Sequence, residues 1–77
     1  MSDVKKRVVD AVARTLKVDP ARITDEARFV EDLGAESIQS VELVAVFEEE
    51  FDIEMEEEEA LAVKTVGTAV EFIEKLL

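Results

Sequence analysis

Apolar residues in this chain recur at three- and four-residue steps in three separate stretches, and nowhere alternate with period two for long enough to make a strand. At 77 residues the chain can build only one small core. The pattern therefore predicts an all-α fold: a four-helix bundle of three main helices and one short helix, with a long loop between the first and second helices. Residues 1–77 are expected to form a single domain, because no repeat, linker or second periodic region interrupts them.

The first helix is expected from about Asp3 to Lys17. Val4, Val8, Ala11, Val12 and Leu16 share its apolar side, Lys6, Asp10, Arg14 and Lys17 lie opposite, and Ser2 is a candidate N-cap. Asp19-Pro20 stops it and can open one short turn. The connection that follows, ARITDEARFVEDLG, is longer than helix–helix loops usually are, with Ile23, Phe29 and Leu33 as its expected anchors in the core. Gly34 sits where a loop must reverse into a helix start, a place that calls for positive φ.

Successive residues on the second helix turn by about 100°. Leu43, Val44, Phe47 and Phe51 then fall on one side with Ser40, the buried face. Ile38, Val41 and Ala45 make a narrow apolar stripe on the other side, edged by Glu42, Glu48, Glu49 and Asp52. The acidic run after it is expected to give one or two helical turns around Glu57 to Leu61. Thr65 caps a last helix in which Val66, Ala69, Val70, Ile73, Leu76 and Leu77 share a face, with Glu71 and Lys75 spaced to pair on the outside.

Charge narrows the function classes. Nine basic residues stand against 20 acidic ones, a net charge of −11. From Phe29 through Val63 there are 13 Asp or Glu and no Lys or Arg, whereas seven of the bases lie at or before Arg28. Such a field repels nucleic acid and anionic membrane and attracts basic protein surfaces. No stretch approaches the roughly 20 apolar residues that span a bilayer, and the N-terminal MSDVKKRVVDAV has no unbroken apolar run of the kind a signal peptide needs. A monomer without stable membrane insertion, in the cytoplasm, is the expectation. The absence of cysteine fits a reducing compartment and removes both disulfides and thiolate metal sites. No calcium-loop pattern is present, so the Glu48 to Glu59 cluster is expected to attract divalent ions only weakly, with no dedicated metal site.

Ser37 is the candidate functional residue. Read alone it is an N-cap or first-turn serine. As a nucleophile it would need a base and an orienting group, and the chain has neither histidine nor cysteine, so self-contained acyl-transfer catalysis is not expected. A hydroxyl at an exposed helix start, free to carry a modification away from the surface, suits attachment better. A phosphodiester there would lie at the positive end of the helix macrodipole, favourable by several tenths of a kcal/mol.

The run FVEDLGAESIQSVELV followed by EEEFDIE resembles the acyl carrier proteins of fatty-acid and related synthesis, whose usual core motif reads Asp-Ser-Leu inside an Asp-Leu-Gly-Ala frame. The resemblance extends through the first helix to the ending TVGTAVEFIEKL and so covers essentially the whole chain. It implies that Ser37 carries a 4′-phosphopantetheine arm, installed from coenzyme A by a separate phosphopantetheinyl transferase, with acyl intermediates held as thioesters on its thiol. It also implies that acyl-transferring and synthase enzymes dock basic patches on the second helix, through Ile38, Val41 and Ala45 as apolar contacts and Glu36, Glu42, Glu48 and Glu49 as charged ones. The growing chain is then expected in a cleft within the bundle, whose core is rich in Val and Ala with Phe29, Phe47 and Phe51 as its bulkier members. Glu36 stands where the family usually has Asp, Ile38 where it has Leu, and Gln39 where an acid is common, departures that point to a specialised carrier. The competing reading is an unmodified acidic helical adaptor that recruits basic partners through the second helix.

Overall fold

A computed structural model describes residues 3–77, so the Ser2 cap lies outside the described residues. α1 runs Asp3–Leu16, a single 3-10 turn Pro20–Arg22, α2 Ser37–Phe51, α3 Glu57–Ala62 and α4 Val66–Leu76. The architecture is the expected one, three substantial helices and a short fourth. α1 packs against α2 and α4, and α3 leans on α2. The only β pairing among the described residues is an isolated antiparallel bridge between Arg28 and Thr65.

Local chemistry sets the boundaries. Asp19 Oδ1 accepts the Ala21 N–H at 2.9 Å, capping the turn that Pro20 opens. Thr65 Oγ1 accepts the Thr68 N–H at 3.3 Å, and Thr68 Oγ1 accepts the Thr65 N–H at 3.2 Å, a reciprocal cap at the start of α4. α1 and α2 end alike. Lys17 (φ 57°) and Asp52 (φ 53°) adopt the left-handed conformation, and the Val18 and Ile53 amides reach back to the Ala13 and Glu48 carbonyls at 3.3 and 3.1 Å. This is the Schellman ending, completed by Val18 and Ile53 packing against the core. α1 therefore stops at Leu16, one residue before Lys17.

Val8, Ala11, Val12 and Leu16 meet Leu43, Phe47 and Phe51 and the α4 residues Val66, Ala69, Val70 and Ile73 in one core. Val44, on the same face of α2, is half-buried. Ile23, Phe29 and Leu33 anchor the long loop as expected, and Ala27 and Ala35 join them. Leu76 and Leu77 depart from the sequence pattern: both are exposed, because the last turn of α4 runs beyond the surfaces that cover Ile73. Nor do Glu71 and Lys75 form one of the ion pairs. An exposed i,i+4 pair gains only a few tenths of a kcal/mol, too little to hold two long side chains together.

The long loop is stitched to the start of α4. Phe29 N–H donates to Lys64 O, Val66 N–H to Ala27 O and Gly67 N–H to Asp25 O, at 3.0, 3.0 and 2.9 Å. A Cβ on Gly67 would stand 3.0 Å from Asp25 O, so this close approach needs glycine. On the other side of α2, Arg7 Nε pairs with Glu50 Oε2 at 3.0 Å and its Nη2 donates to the Glu50 carbonyl. Its guanidinium lies 4.4 Å from the centroid of the Phe51 ring, and Arg14 Nη2 approaches Glu50 Oε1 at 3.7 Å.

Candidate carrier site

Gly34 takes φ 74°, and its amide and that of Ala35 donate to Val30 O and Phe29 O at 3.1 and 2.8 Å. With Ala35 buried, the chain is fixed immediately before it turns into α2. Glu36 is the N-cap residue, and its N–H donates to Gln39 Oε1 at 2.9 Å. Gln39 thus holds the helix start, a role an acid could also fill. Ser37 is the first helical residue, so of the two positions read from sequence it takes the first turn rather than the cap.

The two serines at this end of α2 differ in what they can do. Ser37 is exposed, and no hydrogen bond engages its hydroxyl among the described residues. Ser40, one turn on, is half-buried, donates a long 3.5 Å bond to the Glu36 carbonyl and faces an internal cavity. Ser37 opens the first turn of α2, whose amides an α-helix leaves without intrahelical acceptors.

Along the outer face of α2, Ile38 is 70% and Val41 48% exposed, with Ala45 also open and Glu36, Glu42 and Glu49 around them. The structure therefore brings the apolar stripe and these acids onto one surface. Glu48 is placed differently: it is half-buried, and its Oε2 accepts the Met55 N–H at 2.9 Å.

The cavity, about 70 Å³ in volume, lies between α2, α3, α4 and the long loop. Ser40, Leu43, Val44 and Phe47 form one wall, Phe29 to Glu31 a second, Met55, Ala60, Leu61, Val63 and Lys64 a third, and Ala69 and Phe72 close it from α4. Val30 and Leu61 are partly open to solvent at this cavity. Phe29, Phe47 and Phe51 are all buried in the core as expected, but only the first two line the cavity, with Arg7 lying over the ring of Phe51. Phe72 is the third aromatic in the lining. Its position three residues after Ala69 was a usable helical signal, whereas Met55 is a single apolar residue between acids and Leu61 belongs to the short run ALAV with no long helical pattern around it.

The loop wall is braced by Arg28 and Asp32. Asp32 Oδ2 accepts from both the Arg28 amide, at 2.8 Å, and Arg28 Nε, at 3.1 Å. The hydrogen bond from the guanidinium, then that from the amide, holds the Asp32 carboxyl below its usual range, and the same contact raises the guanidinium of Arg28. Among the described residues no three acidic, His or Cys side chains converge as metal ligands, and no helix is long and apolar enough to cross a membrane.

A family model for the phosphopantetheine attachment site matches residues 6–73. The acyl carrier protein of Phenylobacterium zucineum is 51% identical over 77 residues, spanning 100% of this chain and 98% of the relative. Those of two strains of Caulobacter vibrioides are 51% identical over 73 residues, spanning 95% of this chain and 94% of theirs. The chain belongs to the acyl carrier protein family. Membership makes it a carrier of acyl groups on a covalently bound 4′-phosphopantetheine, whose thiol holds them as thioesters, and disfavours the unmodified-adaptor reading. The start of α2 fits that group: an acyl carrier protein needs an unengaged hydroxyl on a fixed helix start, and this fold supplies one.

Proposed function

We propose that Ser37 is the residue to which phosphopantetheine is attached, and that this 77-residue domain shuttles acyl intermediates in fatty-acid or related lipid synthesis. The contrast between the two serines supports the assignment. Ser37 is open and unengaged, and Ser40 is half-buried and bonded to Glu36. A phosphodiester on Ser37 would be favoured by the macrodipole of the 15-residue α2.

A phosphopantetheinyl transferase and acyl-transferring or synthase enzymes with basic patches dock on the outer face of α2. Ile38, Val41 and Ala45 give the apolar contact, and Glu36, Glu42 and Glu49 surround it with charge, to which Glu48 adds at the edge. Each exposed ion pair is worth about 0–1 kcal/mol, so docking is fast, salt-sensitive and reversible, as a shuttle requires. The acyl chain enters the cavity past Val30 and Leu61. Glu36, Ile38 and Gln39 suit a specialised lipid pathway, in a monomeric carrier of the cytoplasm.

Intact mass after incubation with coenzyme A and a broad-specificity phosphopantetheinyl transferase tests the site. One arm is expected on the wild type and on Ser40→Ala, and none on Ser37→Ala. An arm on Ser37→Ala would overturn the assignment. Loading an eight-carbon acyl group is expected to raise the melting midpoint above that of the unacylated, pantetheine-bearing protein, because ligand held only by the folded state stabilises it.

A further inference from the structure

We infer that Glu48 is a positioning residue of the acyl cleft, whose carboxylate clamps the α2–α3 turn and so fixes the wall formed by Met55, Ala60 and Leu61. This rests on the proposal that the cavity receives the acyl chain. One residue binds the turn three times: the Glu48 carbonyl accepts the Asp52 amide and, at 3.1 Å, the Ile53 amide, and its Oε2 accepts the Met55 amide at 2.9 Å. The side-chain bond spans seven residues and is partly buried, and the Met55 it fixes lines the cavity.

Little else holds this wall. α3 has six residues, too few to be stable alone, and only Ala60 is buried. Glu56, Glu57, Glu58 and Glu59 stand side by side at its start. At the far end the wall is tied by the bond from Phe29 N–H to Lys64 O, at 3.0 Å. Between these two ties Ala60 is the one fully buried side chain among the described residues, with Met55 and Val63 packed against the core only in part. A surface charge serving only to attract partners would not need to turn inward to a backbone amide, as Glu48 does while Glu49 stays exposed.

Three variants separate clamp from charge. Glu48→Gln keeps an acceptor oxygen but loses the charge, Glu48→Asp keeps the charge on a shorter arm, and Glu48→Ala loses both. Each is converted to the pantetheine-bearing form, with and without an eight-carbon acyl group, and read by melting and by hydrogen exchange at the Met55 amide. Glu48→Gln is expected to keep most of the acyl-dependent rise in midpoint. Glu48→Ala and Glu48→Asp are expected to lose half of it or more, with protection of the Met55 amide falling at least tenfold. Equal behaviour of Glu48→Gln and Glu48→Ala would overturn the clamp, as would unchanged Met55 protection in Glu48→Ala. If the wild type itself shows no acyl-dependent rise, the cleft reading fails and the inference with it, whereas Met55 protection still reports separately on the Glu48 bond.

Discussion

Two connecting segments face each other across the cavity, and they are held in opposite ways. Residues 23–36 carry five buried apolar side chains, Ile23, Ala27, Phe29, Leu33 and Ala35, and are crossed by backbone bonds to α4 and by the Arg28–Asp32 brace. Residues 52–65 contribute one buried side chain, Ala60, and are loaded with acids. Length does not distinguish them. The first is the better-anchored wall and the second the more weakly held one, and the proposed entry and release of an apolar chain would use one of each.

The sharpest way to break this comparison is to truncate an anchor on each side. Phe29→Ala, at 8% exposure, is expected to cost about 3–5 kcal/mol in urea denaturation. The half-buried Met55→Ala is expected to cost about 1 kcal/mol, and comparable losses would mean that the walls are equally fixed. Gly34→Ala comes next. Nothing lies within 4 Å of a Cβ there, so only the φ of 74° resists it, for about 1–2 kcal/mol of lost stability by the same assay.

Salt should act on one wall alone. Raising ionic strength from about 0.01 to 0.15 M shortens the screening length from about 30 to 8 Å. Severalfold slower hydrogen exchange is expected for the α3 amides, where like charges crowd, and no change for Ala35. The smallest effect is on pH dependence. Because the folded carboxyl of Asp32 titrates below its unfolded value of about 3.9, its contribution is in place above that value and is lost as pH falls through the lower folded one. Asp32→Asn should therefore lose less stability than the wild type on acidification below about pH 4, and carbon NMR should show the Asp32 carboxyl titrating below the unfolded value of about 3.9.

Much of this was legible in the sequence. Thr65, Asp19-Pro20 and Gly34 signal their turns through chemistry contained within a few residues, and the apolar spacing of α1 and α2 reports directly which side is covered. The exposed Ser37 and the Ile38–Val41–Ala45 stripe followed from the same angular arithmetic. What was hidden depends on partners distant along the chain. Ala27 is buried where its carbonyl takes the Val66 amide at the start of α4, which no spacing within the loop can announce. Leu76 and Leu77 are correctly spaced for the core but lie where cover has ended. Glu48 and Glu50 look like their neighbour Glu49, and only folding assigns one to Met55, one to Arg7 and Arg14, and leaves the third in water. Lys17 and Asp52 give no glycine signal for the left-handed endings they adopt.

The arginines of α1 bear on how the molecule travels. Arg7 and Arg14 both pair with the single Glu50 on the α1 side of α2, leaving that side more positive than the surface that Glu36, Glu42 and Glu49 present. A basic enzyme docking as proposed would exert a torque on the approaching protein as well as a pull, swinging it round until the start of α2 leads. Encounters at random headings would then be corrected before touching, and Ser37 would arrive first.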